Sequence, residues 1–396
     1  MRDLSTVERH RLADEWANGV ELYDVPAIGC LIQCARRVPA IRTALICGSH
    51  TLTYGQLFDR VAADAIAEAG FASVGPACDD RPAALDADPE AAALEGLARL
   101  LAEITAAAEP LPAARPVACA GSHPDTCAQS GDCALIRHDL AEPTVPRLAL
   151  TLSALAAAAD DRRGVVADTR ACRVDRAFGS ADVRLLAARW DGADAAVEML
   201  AALADGATLV LATEAQRADA AALSELIAAT SATHVLAEVA ALAGFADLPA
   251  PALPTVRRWD VTGTACPAIL PGLLRAIAPD SVAGFAYTAP EYAGVAARGP
   301  LDGSGRIRPI PGARVLVLDA ELCLVAPGET GDVYLGGAAL AAEPAEAAAD
   351  FLADPYAAGR LVKTGERGHW TADGWLVFAA AAPAAASATE IDYAAA

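Results

Sequence analysis

A chain of 396 residues, 55% hydrophobic and 20% charged, is long enough to bury a sizeable core and to hold more than one subdomain. Its formal net charge of −21 argues against nucleic acid as a partner, because phosphate backbones are bound through clustered Lys and Arg. The N-terminus is charged and no apolar run reaches the length of a membrane span, so the expectation is a cytoplasmic protein with no membrane partner.

Asp88-Pro-Glu90 reads as an N-cap followed by a first-turn proline, and Leu94, Leu97, Leu101 and Ile104 recur at helical spacing, predicting an amphipathic helix that ends near Pro110. Ten cysteines in a chain of this length read as reduced thiols rather than a disulfide frame. Cys119, His123, Cys127 and Cys133 are grouped, but the spacing C-x3-H-x3-C-x5-C fits none of the usual zinc patterns, so no metal cluster is expected. Val197, Leu200 and Leu203 mark another helix that Gly206 can end, and Thr208–Ala212 reads as a short apolar strand. The cycle repeats with Leu223, Leu226 and Ile227 before a strand at Thr233–Ala237. Such alternation predicts an α/β core with largely parallel strands, whose ligands bind beyond the strand C-termini. From Ile307 to Gly337 turns and β pattern take over, predicting a small β-rich layer, and Ala379–Ser387 is alanine-rich low-complexity sequence.

Several segments carry a resemblance. Leu52-Thr-Tyr-Gly-Gln-Leu57, Gly305-Arg-Ile-Arg-Pro-Ile-Pro-Gly-Ala-Arg-Val-Leu-Val-Leu-Asp319, Gly331-Asp-Val-Tyr-Leu-Gly-Gly337 and Arg360-Leu-Val-Lys-Thr-Gly-Glu-Arg-Gly-His-Trp370 occur in that order, the last containing the only lysine of the chain. Together they resemble the motifs of nonribosomal peptide synthetase adenylation domains, members of the adenylate-forming, AMP-binding superfamily. The resemblance implies an α/β fold of the adenylate-forming type. It would comprise the large N-terminal subdomain, with mixed α/β layers and a small β-rich layer, and without the C-terminal lid. Residues 1–24, with Leu4–Arg9, Leu12 and Trp16, are similar to the linker that follows a condensation domain. Residues 25–378 correspond to the large subdomain, and 379–396 stand where a hinge and lid would begin. There Ala380–Ser387 replaces a motif that carries arginine, aspartate and lysine.

The same resemblance implies Mg-ATP as cofactor and a synthetase or carrier protein as partner, and it assigns site residues. Tyr287 and Glu291, in Phe285-Ala-Tyr-Thr-Ala-Pro-Glu291, match an adenine-stacking aromatic and a Mg²⁺-binding acid. Gly263 remains from a G-G-E motif, Glu366 replaces the aspartate that holds the ribose, and Lys363 lies beside that site either as a ligand contact or as a surface cation. Phe178 and Gly179 match the start of the amino-acid pocket. Gly179 stands where an aspartate would pair a substrate ammonium, so an acid without an α-amino group suits the pocket better; a buried charge lacking its partner costs roughly 3–5 kcal/mol.

The phosphate loop should lie between Ala134 and Leu155, with Pro146-Arg147 in place of P-K, yet no glycine occurs between Gly131 and Gly164. Asp139 and Glu142 would add negative charge beside a triphosphate. A loop that cradles phosphate with backbone N–H groups in glycine-only conformations cannot form there in the usual way. The sequence thus supports two readings. One is an inactive or strongly impaired relative with weakened or lost ATP binding and a scaffolding role. The other is an ATP-dependent ligase for an acid lacking an amino group, with its lid supplied in trans.

Overall fold

The computed structural model describes residues 4–20, 25–71, 88–108, 133–136, 148–168, 181–188, 193–249, 252–263, 265, 267–341 and 351–379. In chain order the first half contains α1 (Thr6–His10), α2 (Ile28–Arg36), β1 (Thr43–Cys47), β2 (His50–Thr53), α3 (Tyr54–Phe71), α4 (Pro89–Ala108), β3 (Cys133–Ile136), β4 (Leu148–Thr151), α5 (Leu152–Asp168), β5 (Val183–Ala187) and α6 (Ala193–Ala204). There follow β6 (Thr208–Leu211), α7 (Glu214–Ala218), α8 (Ala220–Thr230), β7 (His234–Glu238), α9 (Val239–Ala243), β8 (Arg258–Thr262), α10 (Leu270–Ile277), β9 (Val282–Thr288) and β10 (Val295–Pro300). The chain continues through β11 (Arg308–Pro309), β12 (Ala313–Leu318), β13 (Gly331–Gly337), β14 (Phe351–Ala353), β15 (Arg360–Trp370) and β16 (Leu376–Phe378).

Nine strands form one sheet in the order β11-β10-β9-β8-β7-β5-β6-β1-β2. The run from β9 to β1 is parallel, and antiparallel pairs close both edges. A second, antiparallel sheet contains β12-β13-β15-β14 with β16 on β15. The sequence therefore predicts both layers correctly, as a largely parallel α/β core and a smaller β layer.

Local chemistry explains the elements. The Asp88 carboxylate accepts the Glu90 N–H at 3.0 Å, starting α4 where the N-cap was expected, and Leu94, Leu97, Leu101 and Ile104 are buried. Gly206 has φ +70°, the left-handed turn that ends the α6 segment before β6. The strand expected at Thr233–Ala237 runs one residue later, and the Thr233 hydroxyl just before it bonds the Val183 backbone at 3.0–3.1 Å.

Alanine and leucine fill the contact of α5 with α6, where Leu155, Ala158 and Ala159 meet a helix whose Ala195 to Leu203 are all buried. Within this apolar layer lies a network of ions. Arg162 of α5 pairs with Glu198 of α6 and, at 2.8 Å, with Asp260 of β8. Asp260 also binds Arg258 at 2.8 Å, while Arg184 of β5 spans Glu198 at 3.6 Å and Asp205 at 2.8 Å. Arg162, Glu198, Arg184 and Asp260 are each at most 3% exposed. A charge buried this deeply is tolerated only when paired, so the network fixes how two helices and two strands meet.

The N-terminal segment packs on the second sheet. Ser5 and Glu8 cap α1 reciprocally, Leu12 is buried, and the Val315 N–H donates to Ala17 O at 2.8 Å. Arg314 donates to Ala13 O at 2.7 Å and Asn18 Oδ1 at 2.9 Å, and it pairs with Asp354. Trp16 meets Trp370 with ring centroids 6.2 Å apart and covers Gly374, where a Cβ would come within 2.6 Å of the indole nitrogen.

Replacing Arg162 by Met leaves Glu198 with only its 3.6 Å contact to Arg184 and removes one of the two guanidinium partners of Asp260; the expected loss is about 3–5 kcal/mol in chemical denaturation. Replacing exposed Arg9 by Ala changes stability by no more than about 0.5 kcal/mol in the same assay.

Candidate functional site

Beyond the C-terminal ends of β7, β8 and β9 the structure gathers residues from three segments. Gly263 directly follows β8, and its N–H approaches Ala286 O of β9 at 3.4 Å. Tyr287 is the penultimate residue of β9, and Glu291 lies half-buried in the turn that follows, its carbonyl accepting the Ala341 N–H at 2.8 Å. From the other sheet comes β15. Its register against β13 shifts between the Asp332–Arg367 and Tyr334–Lys363 pairs, leaving Thr364, Gly365 and Glu366 in a bulge, with Gly365 at φ +80°. Within the bulge Thr364 Oγ1 donates to Val333 O at 2.9 Å and accepts the Glu366 N–H at 3.1 Å, and Glu366 and Glu291 act electrostatically on the Tyr287 hydroxyl.

Tyr287 is 3% exposed, with the Phe378 ring 4.5 Å from its own. Burial, more than the two carboxylates, pushes its hydroxyl up to about 12. A base can stack only on an open ring face, so the stacking expected of Tyr287 requires Phe378 or its surroundings to move. Glu366 is half-buried, and its N–H is held by Thr364 Oγ1 at 3.1 Å. Lys363, on the same strand, is an exposed cation bound to Asp332 at 2.6 Å, which favours the surface-cation reading of this residue.

The expected phosphate loop has fixed ends. β3 and β4 pair antiparallel from Cys133–Thr151 to Ile136–Leu148, and α5 begins at Leu152. Pro146, Arg147, Asp139 and Glu142 lie outside the described residues, as do Phe178, Gly179, Cys119, His123 and Cys127.

A magnesium ion needs only one or two carboxylates when phosphate supplies further oxygens, and Glu291 with Glu366 provides two half-buried carboxylates close to Tyr287. Among the described residues the group of three metal-capable side chains lies elsewhere, at the β2 edge: His50, Asp88 and Glu90 offer ligand atoms within 4.8 Å of one another. There His50 Nε2 meets Asp88 at 2.7 Å and Glu90 accepts the Ser49 N–H at 2.9 Å, tying the start of α4 to the β1–β2 turn.

One acid at the strand ends went unrecognised in the sequence. Asp194, in the first turn of α6, is pushed up to about 6 by burial and then by Glu198; Arg162 opposes the shift and Glu238, the last residue of β7, adds to it. The signal was present as two acids four residues apart, Asp194 and Glu198, in a helix otherwise made of Ala, Val, Met and Leu. A carboxyl that takes up a proton near neutral pH can donate or accept one beside a bound ligand.

Residues 162–343 match the family of AMP-binding enzymes. The chain is 39% identical over 137 residues to novobiocin biosynthesis protein H of Streptomyces niveus, an alignment covering 32% of this chain and 22% of that protein. It is 34% identical over 170 residues to the probable non-canonical nonribosomal peptide synthetase CymA of Salinispora arenicola, covering 39% of this chain and 2% of that synthetase. It thus spans about a fifth or less of the length of these curated relatives.

Among solved structures, the nonribosomal peptide synthetase FmoA3 superposes with a TM-score of 0.70 at 19% identity, over 95% of this chain and 44% of that one. Its AMPPNP-bound form gives 0.67 at 20%, over 95% and 45% of the two chains. The N-terminal subdomain of NpsA from Klebsiella oxytoca gives 0.61 at 16%, over 90% and 100%. Residues 162–343, a little under half of the chain, are thus similar to AMP-binding enzymes, and the chain has the fold of the N-terminal subdomain of nonribosomal peptide synthetase adenylation domains. No helix among the described residues is long and apolar enough to cross a membrane.

The titration of Asp194 has a definite sign. Between about pH 4 and about pH 6 the folded chain keeps a proton that the unfolded chain has released, so folding stability falls as pH rises through that window. Asp260 acts in the opposite sense: Arg162 and Arg258 outweigh its burial and hold it far below the usual carboxylate range, so its contribution is lost only as pH falls through acid values. Asp194→Asn should flatten the stability profile between about pH 4 and about pH 6 in denaturant titrations, and an unchanged slope would assign it to another group.

Proposed function

We propose that this chain is an adenylation-type subdomain with impaired or lost adenylate formation, retained for binding or scaffolding beside a synthetase or carrier protein. The observation that carries this reading is the packing of Tyr287. The ring expected to serve as an adenine platform is only 3% exposed, with the Phe378 ring packed on it at 4.5 Å between centroids. Its neighbours in sequence agree, since the segment expected to form the phosphate loop contains no glycine and the single lysine is engaged by Asp332. The AMP-binding relationship and the AMPPNP-bound relative support nucleotide binding as the ancestral property of this cleft, and Mg-ATP as the ligand to test.

A second reading rests on a different observation. Tyr287, Glu291 and Glu366 are separated by up to 79 positions in sequence, and both carboxylates act electrostatically on the Tyr287 hydroxyl. That convergence supports an acid-activating ligase for a substrate without an α-amino group, completed by a lid in trans. In this reading Glu291 would hold Mg²⁺ and Glu366 the ribose, with the ion neutralising phosphate charge that no nearby lysine offsets.

Calorimetry with Mg-ATP, followed by pyrophosphate exchange with amino, aryl, hydroxy and keto acids, separates the two. The expected result is little or no heat and no exchange for the native chain, with ATP binding strengthened in Phe378→Ala, which opens one face of Tyr287. Tight ATP binding with acid-dependent exchange in the native chain would overturn the first reading and establish the second.

A further inference from the structure

Away from the nucleotide cleft, the turn between β1 and β2 faces the start of α4, and side chains with metal-binding chemistry meet there. His50 Nε2 lies 2.7 Å from Asp88 Oδ2, and ligand atoms of His50, Asp88 and Glu90 all fall within 4.8 Å of one another. Ligand atoms bound at about 2.0–2.2 Å to one ion can be no more than about 4.4 Å apart, so small side-chain rotations bring the three together. Cys47 pairs with His50 across β1 and β2, which puts both side chains on one face of the sheet. Its thiol is 2% exposed, makes no hydrogen bond among the described residues and feels both Glu90 and Asp88 electrostatically. A buried thiol without a partner is a soft donor of the kind that zinc-type ions take as a further ligand.

Helix capping accounts for part of this. Asp88 Oδ1 accepts the Glu90 N–H at 3.0 Å and so starts α4. Capping does not require Glu90 to reach across to the β1–β2 turn, where a Cβ on Gly48 would come within 1.8 Å of Glu90 Oε2. The carboxylate occupies space that only a glycine leaves open. Nor does capping explain why two carboxylates gather on one imidazole in a chain of net charge −21, where each repels the other. Each carboxylate is held by a bond that an ion leaves intact, Asp88 Oδ1 by the Glu90 N–H and Glu90 Oε2 by the Ser49 N–H at 2.9 Å. Only the proton between His50 and Asp88 has to leave, and such outer bonds are what orient ligating side chains.

We propose that His50, Asp88 and Glu90 bind a divalent ion of the zinc type, which fastens the start of α4 to the β1–β2 turn. One imidazole with two carboxylates suits Zn²⁺ or Co²⁺ better than Mg²⁺ or Ca²⁺, which prefer oxygen alone. His50 and Asp88 also line a cavity of about 430 Å³, walled further by Thr51, Leu52, Arg60 and Glu95, which gives an ion a path from solvent and room for water in its open positions. The site is independent of whether the cleft at Tyr287 binds nucleotide.

Titration of the EDTA-treated chain with Zn²⁺ and Co²⁺, read by calorimetry and by melting temperature, tests this. His50→Gln and Glu90→Gln each keep a group able to hydrogen-bond Asp88 or the Ser49 N–H and remove a metal ligand, and melting in EDTA verifies that they fold. The native chain should bind one equivalent more tightly than either variant, by more than about tenfold, and should gain more in melting temperature on adding metal. Ions held by cysteines elsewhere in the chain survive both substitutions and so cancel in the comparison. Excess Mg²⁺ should not displace the ion. Equal binding and equal thermal gain in the native and substituted chains would overturn the proposal. So would displacement by an equal concentration of Mg²⁺, the behaviour of an acidic cluster without a zinc-type site.

Discussion

Arg162 holds the α/β core in one arrangement. Its guanidinium sits where α5, α6 and β8 meet, bonded to Glu198 and Asp260 in a layer otherwise built of alanine and leucine. Small apolar residues pack closely but specify position poorly, because an Ala–Leu surface can slide by a turn at little cost. Ions buried among them cannot slide, since any shift leaves a charge without its partner. The register of α5 and α6 against the parallel strands, and hence the level at which the strand ends open, follows from this constraint.

The network also bears on chemistry at the strand ends. Asp260 stands three residues before Gly263, and its carboxylate is fully engaged by two arginines. Asp194 stands at the other limit of the same charge system, pushed up to about 6 by burial first and by Glu198 second. One set of buried arginines therefore holds one aspartate ionised, and its shared carboxylate helps keep another near its protonation midpoint. Environment, not residue type, separates the two.

The second sheet supplies the rest of the cleft. The Thr364–Glu366 bulge interrupts an otherwise regular antiparallel pairing and brings Glu366 within electrostatic reach of Tyr287, while β16 places Phe378 on that ring. The N-terminal segment steadies this layer through Leu12, Trp16 and the backbone bonds to Gly19 and Val315. A stretch that resembles an interdomain linker is thereby part of the support for the layer that carries Glu366.

Periodicity and capping determined much of the architecture by themselves. Asp88, Gly206 and the leucines of α4 act on neighbours within a few positions, so their effects are readable without the fold, as is the alternation that implies a parallel sheet. The ordered motifs likewise pointed to the adenylation-domain fold that the structure has. Burial was decided by tertiary structure alone. Tyr287 lies in a motif where an aromatic residue suggests an open platform, yet what covers it is Phe378, 91 positions later. Asp194 looked like an ordinary first-turn acid until Glu198, Arg162 and Glu238 were brought around it. Electrostatic and stacking energies depend on distance and dielectric in three dimensions, and sequence separation carries neither.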